Sequence, residues 1–254
     1  MSQVIAIVNQ KGGVGKTTTA INLATYLAYL GKKVLLIDMD PQANATSGIG
    51  INHRKLQKGI YETLINSVPL EEIIIGICRT GFDLAPSTIS LAGANIELVN
   101  LERREFKLLD ALEKIKEKYD YIIIDSPPSL GLLTINGLVA AQKILIPVQA
   151  EYYALEGLGQ LIETINLVRE NLKPNLGILG VIITMYDRRS CLSQEVLEEL
   201  YQWFPGKIFR SVIPRNTRLS EAPSFGKSIF HYSRYSHGAK AYERLTREII
   251  YINN

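Results

Sequence analysis

No feature of this chain narrows its possible folds more than the run Lys11-Gly12-Gly13-Val14-Gly15-Lys16-Thr17-Thr18, set between a short apolar segment and a helical one. Val4–Val8 reads as a buried strand, and Thr17–Leu30 carries Ala20, Leu23, Ala24, Leu27 and Leu30 at helical spacing before a stop at Gly31. A turn from strand to helix needs one glycine. Three glycines followed by a lysine and three threonines ask for another reason. Glycine permits positive φ and close backbone approach, so the N–H groups of such a loop and of the helix N-terminus can surround phosphate groups. In that reading Gly12, Gly13, Val14 and Gly15 form the cradle and Lys16 lies along the β- and γ-phosphates of a nucleotide. The Thr17 hydroxyl is a magnesium ligand, and Thr18 meets the α-phosphate.

A loop of this kind belongs in a parallel sheet, and the rest of the chain supplies one. Val34–Ile37, Tyr121–Ile124, Ile144–Val148, Ile178–Ile183 and Ile208–Ile213 are further apolar, β-branched runs. They alternate with helical patterns at Phe106–Glu117, Leu155–Leu172, Ser193–Phe204 and His237–Ile252. The expected fold is α/β: one doubly wound domain over residues 1–254, a mostly parallel sheet of six or more strands flanked by helices. The composition, 46% hydrophobic and 21% charged in 254 residues, excludes a disordered or fibrous chain. Cys78 and Cys191 lie far apart with no Cys/His cluster, which suggests free thiols in a reducing compartment. The N-terminus lacks a signal-peptide pattern, and the longest uncharged stretch, Ser126 to Gln142, is broken by prolines and polar residues. A cytoplasmic protein without membrane association is expected.

Two more segments end in acids. Val34-Leu35-Leu36-Ile37-Asp38-Met39-Asp40-Pro41 is a buried strand with carboxylates at alternate positions, and Tyr121-Ile122-Ile123-Ile124-Asp125 is another with one. At strand carboxyl ends beside a phosphate loop, such groups orient an attacking water or hold a magnesium shell. Asp40 is the candidate for the water, Asp38 for local support with a weaker claim on the metal, and Asp125 for the metal through water. Together the three segments read as a magnesium-dependent ATPase with Lys16 and Asp40 as catalytic residues.

The loop has Gln10 where a generic phosphate loop has its first glycine, and it opens on an extra lysine, Lys11. It therefore resembles the deviant Walker A box of the ParA/MinD group of P-loop ATPases. Asp40-Pro41-Gln42-Ala43-Asn44-Ala45-Thr46-Ser47-Gly48, Pro127-Pro128-Ser129-Leu130-Gly131, Glu151-Tyr152-Tyr153-Ala154-Leu155-Glu156-Gly157 and Ile213-Pro214-Arg215-Asn216-Thr217-Arg218-Leu219-Ser220-Glu221-Ala222-Pro223-Ser224 are similar to chromosomal ParA proteins of the Soj type. The resemblance implies an ATP-bound homodimer in which Lys11 reaches the partner's phosphates. It implies an adenine site at Pro214 and Asn216, and non-specific binding of double-stranded DNA through Arg189 and Arg218. It also implies a ParB-type centromere-binding partner that stimulates hydrolysis, and association with the nucleoid. Whether the cargo is a chromosome or a plasmid stays open.

Charge alone does not decide the DNA reading. From Met185 onward there are 11 Lys+Arg and 7 Asp+Glu, a small excess that fits a solvated face as well as a phosphate-binding one. Arg188, Lys207, Arg210 and Arg234 are weaker candidates for the patch. Arg215 has a competing reading as a salt-bridge residue at the dimer interface and is left out of the DNA set. The aromatic residues Tyr152, Tyr153, Phe230, Tyr232 and Tyr235 read as core or half-buried groups, not as a stacking platform. A MinD-type alternative requires a membrane-seeking C-terminal helix, whereas Lys240 to Asn254 alternates acids and bases and reads as a closing helix packed on the core. An iron–sulfur reductase needs thiolates near Asp125, where there are none in sequence.

Overall fold

The computed structural model describes residues 2–151, 154–187 and 191–253, giving backbone alone at 154–156 and 191–193. Among these residues seven strands form one sheet: β1 Gln3–Ile7, β2 Val34–Asp38, β3 Ile75–Ile77, β4 Phe82–Ala85, β5 Tyr121–Asp125, β6 Lys143–Gln149 and β7 Gly177–Thr184. Their spatial order is β3-β4-β2-β5-β1-β6-β7, all parallel except β3, which pairs antiparallel with β4 at one edge. The helices are α1 Lys16–Tyr29, α2 Asn44–Gly48, α3 Ile60–Asn66, α4 Leu91–Glu97, α5 Lys107–Glu113, α6 Leu132–Ala140, α7 Ala154–Asn171, α8 Cys191–Trp203, α9 Thr217–Glu221, α10 Ile229–Ser233 and α11 His237–Asn253.

The strands are apolar on both sides because both faces of the sheet are covered. In β1, Val4 and Ala6 point to one core and Ile5 and Ile7 to the other, and β5 alternates likewise, with Ile122 and Ile124 opposite Tyr121 and Ile123. Helices α3 to α8 close the first core, while α1, α10 and α11 close the second. Each fully buried Ile or Leu contributes about 1.5–3 kcal/mol relative to exposure, so the sheet centre is the rigid base on which the loops at its carboxyl end stand. Register fixes those loops: Ile7 and Asp38 each stand opposite Asp125, so β1, β2 and β5 end at one level.

Five of the expected strands are present within a residue or two. Ile208–Ile213 is the exception, because it is not a strand. It runs beside β7, where the Phe209 N–H donates to Val181 O and the Ile213 N–H to Ile183 O. Between those points the carboxylate of Glu248, on α11, accepts the N–H groups of Arg210 (2.8 Å) and Ser211 (3.0 Å). The Ser211 N–H, the donor that a ladder with β7 would need between Phe209 and Ile213, is taken by a side chain, leaving isolated bridges in place of a strand. The C-terminal stretch is a closing helix: Ala239, Ala241, Tyr242, Leu245 and Ile249 of α11 are buried in the core shared with α1. Among the described residues no helix is long and apolar enough to cross a membrane.

Candidate nucleotide site

The loop after β1 takes the shape its glycines permit. Gly13 (φ 76) and Gly15 (φ 89) are left-handed, where a side chain is strained. A Cβ on Gly12 or Gly13 would meet no atom within 4 Å, so both face open space. Neighbouring strands pin the loop. The Asn9 amide donates to Pro147 O at 2.7 Å while its Oδ1 accepts the Lys11 N–H at 2.9 Å, and the Thr184 hydroxyl donates to Val14 O at 2.8 Å. Helix α1 has no acidic residue in its first turn, which leaves the positive end of its dipole for an anion.

In front of the loop is a cavity of about 650 Å³ lined by Gly12, Gly13, Lys16, Thr17, Thr18 and Asp40 among others. The Lys16 ammonium is buried and donates to Lys11 O at 3.0 Å. Burial holds its pKa below the usual lysine range, opposed by the charges of Asp125 and Asp40. Asp125 is fully buried, and neither of its oxygens has a hydrogen-bond partner. Burial and then repulsion from Asp38 push its pKa up, against the opposing influence of the nearby Thr17 hydroxyl. An unpartnered buried carboxylate is costly. Beside the Thr17 hydroxyl and an open cavity, it supplies the hard oxygen donors that fit a magnesium ion.

Asp38 has both oxygens engaged. Its Oδ1 accepts the Asp40 N–H (3.2 Å), and its Oδ2 accepts the Thr46 N–H (2.8 Å) and hydroxyl (2.7 Å). Asp40 is buried at the cavity wall, with its Oδ1 accepting the Gln42 N–H at 2.9 Å. Pro214 and Asn216 line a second, smaller cavity of about 130 Å³ that shares Gly15, Thr18, Met185 and Leu219 with the first, so the two are neighbours. The Asn216 Oδ1 also caps α9 by accepting the Leu219 N–H at 3.3 Å.

Of the remaining sequence-predicted residues, Arg215 lines the smaller cavity, while Lys11 and Arg218 line neither. Lys11 pairs with Glu151 at 3.4 Å, and Arg215 approaches the same carboxylate at 3.7 Å, within one chain. Arg218 is exposed and pairs with Glu221 at 3.0 Å. Arg188, Arg189, Tyr152 and Tyr153 lie outside the described residues. Arg234 stacks over Tyr29 and Phe230. Tyr235 is 84% exposed, contrary to its reading as a core or half-buried group, because it stands in the short turn between α10 and α11 where no element covers it. Asn9, Thr46, Glu151 and Thr184 were not among the sequence candidates. Their partners are distant in the sequence or in main-chain groups, and no local spacing announces them.

A strand, glycine loop and helix near the sheet's centre, with acids at the carboxyl ends of β5 beside it and of β2 one strand further on, define the P-loop ATPase class. A family model described as AAA domain matches residues 2–178. The chain is 53% identical over 249 residues to sporulation initiation inhibitor protein Soj of Bacillus subtilis, covering 98% of each. It is 51% identical over 246 residues to chromosome-partitioning ATPase Soj of Thermus thermophilus, covering 97% of this chain and 94% of that one. Among solved structures, one named cobyrinic acid a,c-diamide synthase from Mycobacterium smegmatis, with bound ATP analog and magnesium, superposes with TM-score 0.86 at 36% identity. That match covers 97% of this chain and 93% of the other. The chain belongs to the ParA/Soj family of chromosome-partitioning ATPases.

Proposed function

We propose that this chain, acting as one ATPase domain over 1–254, hydrolyses ATP with magnesium and dimerises on binding ATP. In that state it binds double-stranded DNA without sequence preference, in the cytoplasm on the nucleoid. It partitions chromosome or plasmid DNA with a ParB-type partner that stimulates hydrolysis. The observation that carries the reading is the buried Lys16 ammonium between a glycine cradle and the acids Asp40 and Asp125. The Soj relatives and the ATP analog and magnesium bound by the Mycobacterium smegmatis protein support it.

The residues divide the work. The N–H groups from Gly12 to Thr18 and the Lys16 ammonium bind phosphate oxygens. Thr17 would ligate the magnesium ion directly and Asp125 would hold it through water, and the ion would supply neutralisation of phosphate charge. Asp40 accepts a hydrogen bond from the attacking water and orients it, and Asp38 supports the turn that carries Asp40. Pro214 packs on the adenine, and the Asn216 amide meets its edge. Lys11 leaves Glu151 and reaches the partner's phosphates. Catalysis here is positioning and charge stabilisation without a covalent intermediate. Arg189 and Arg218 contact DNA phosphates, which gives salt-dependent affinity without sequence readout.

The test is binding to random-sequence duplex DNA with ATP, ADP or no nucleotide over a salt series, with anionic liposomes in parallel. Binding only with ATP, weakening steeply with salt, is the expected result. ATP-dependent attachment to liposomes without DNA binding would move the reading to the MinD type. The burial of α11's apolar face against α1 argues against that outcome.

A further inference from the structure

The segments that follow two strands, β2 and β4, meet at one buried hydroxyl. Thr46 is fully buried in α2, and its Oγ1 donates to Asp38 Oδ2 at 2.7 Å while accepting the Ser87 N–H at 3.0 Å. Its own N–H adds a second bond to Asp38 Oδ2 at 2.8 Å. The other oxygen of that carboxylate receives the Asp40 N–H. The segment from residue 40 to 46 is thus tied at both ends to Asp38, and Asp38 is held in orientation by the Thr46 hydroxyl. Between those ties lies Ala43, buried at φ 51, a left-handed conformation that costs a non-glycine residue about 1–2 kcal/mol. A turn that contains such a residue keeps its shape only while its surroundings hold it.

We propose that Thr46 is a positioning residue for ATP hydrolysis: its hydroxyl, clamped between Asp38 and the backbone after β4, fixes the turn that presents the Asp40 carboxylate to the attacking water. The inference rests on the ATPase reading above. Removing the hydroxyl leaves the Ser87 N–H and one Asp38 lone pair buried without partners and loosens the turn. The phosphate cradle and the adenine pocket use other residues, so nucleotide affinity is spared. The hydroxyl therefore acts on kcat and not on binding.

The experiment compares wild type, Thr46→Val, which keeps the β-branched shape without the hydroxyl, and Thr46→Ser, which keeps the hydroxyl. ATP turnover is measured against ATP concentration, affinity with a fluorescent ATP analogue, and folding by thermal denaturation. Thr46→Val is expected to lower kcat about tenfold or more, the scale of one lost hydrogen bond to a charged group. Its nucleotide affinity should stay within about twofold of wild type, and Thr46→Ser should restore most of the rate. Should Thr46→Val not fold, Thr46→Cys, whose thiol is a weaker donor, takes its place with a smaller fall in kcat expected. A Val or Cys variant turning over at the wild-type rate overturns the inference, as does equal impairment of the Ser variant or a loss of affinity matching the loss of rate. No turnover in wild type overturns the ATPase reading together with this inference.

Discussion

Asp38 and Asp125 occupy matching register positions on adjacent strands, both fully buried. Burial, partly offset by its hydrogen bonds to Thr46, pushes the Asp38 carboxyl up to about 6, and Asp125 is raised as well. With the unfolded value near 3.9, the folded chain holds more protons than the unfolded one between about pH 4 and about pH 6. Asp38 therefore removes stability as pH rises through that window and keeps it lower above, and the raised Asp125 carboxyl acts in the same direction. The Asp125 oxygens have no hydrogen bonds to lose, so Asp125→Asn leaves nothing newly orphaned on the acceptor side. In nucleotide-free protein with chelator present, Asp125→Asn is expected to be more stable than wild type at pH 7 by about 2 kcal/mol or more, because a carboxyl whose pKa folding raises costs the folded state stability above its unfolded value. The advantage should shrink towards pH 4.5. Urea unfolding midpoints at the two pH values decide it, and a variant less stable than wild type at pH 7 refutes it. The same substitution should remove any stabilisation by magnesium and ATP, since a site kept for function is a site of stored cost.

At the scale of elements, the edge of the sheet beyond β7 depends on one small residue. A Cβ on Gly180 would lie 2.6 Å from the Phe209 ring and 2.7 Å from the Lys207 carbonyl oxygen. The ring can turn but the carbonyl cannot, so Gly180→Ala must push the segment from Lys207 to Ile213 off β7. A cost of about 1–3 kcal/mol is expected, read as a lower melting temperature, and an unchanged one would show that the segment yields freely. This edge also marks where the sequence misleads. Five parallel strands were legible because each is an uninterrupted apolar run buried on both faces. Ile208–Ile213 is apolar at its ends but carries Arg210 and Ser211 at its centre, and its ladder is interrupted where the Ser211 N–H goes to Glu248, 37 positions away. The edge strand β3 and its neighbour β4 went unread because they are three and four residues long and carry Gly76 and Asp83 inside them. The candidate site divides the same way. Lys16, Thr17, Asp40 and Asp125 sit in contiguous motifs, whereas the contacts that hold the loop, Asn9 to Pro147 and Thr184 to Val14, span 138 and 170 positions.

For the whole molecule, two cations separate the steps of the proposed cycle. Lys11 and Glu151 have side chains 32% and 45% exposed, so their pair is worth at most about 1 kcal/mol and yields readily to a triphosphate. In an Asp40→Ala background, which slows hydrolysis, ATP should give dimers by light scattering, and adding Lys11→Ala should leave monomers that still bind nucleotide through Lys16. Arg218 stands on the other side of the argument. It lies on α9, the helix that Asn216 caps from the smaller cavity, but its guanidinium points to solvent beside Glu221 and takes no part in lining either cavity. Arg218→Glu should therefore dimerise with ATP as before while its DNA affinity collapses, because a phosphate contact is replaced by a repulsion. Dimers that bind DNA as tightly as the parent would remove Arg218 from the interface. Failure to dimerise would tie α9 to subunit contact instead. Only the pattern in which Lys11 controls assembly and Arg218 controls DNA supports a molecule whose nucleotide face and DNA face are distinct surfaces joined by one short helix.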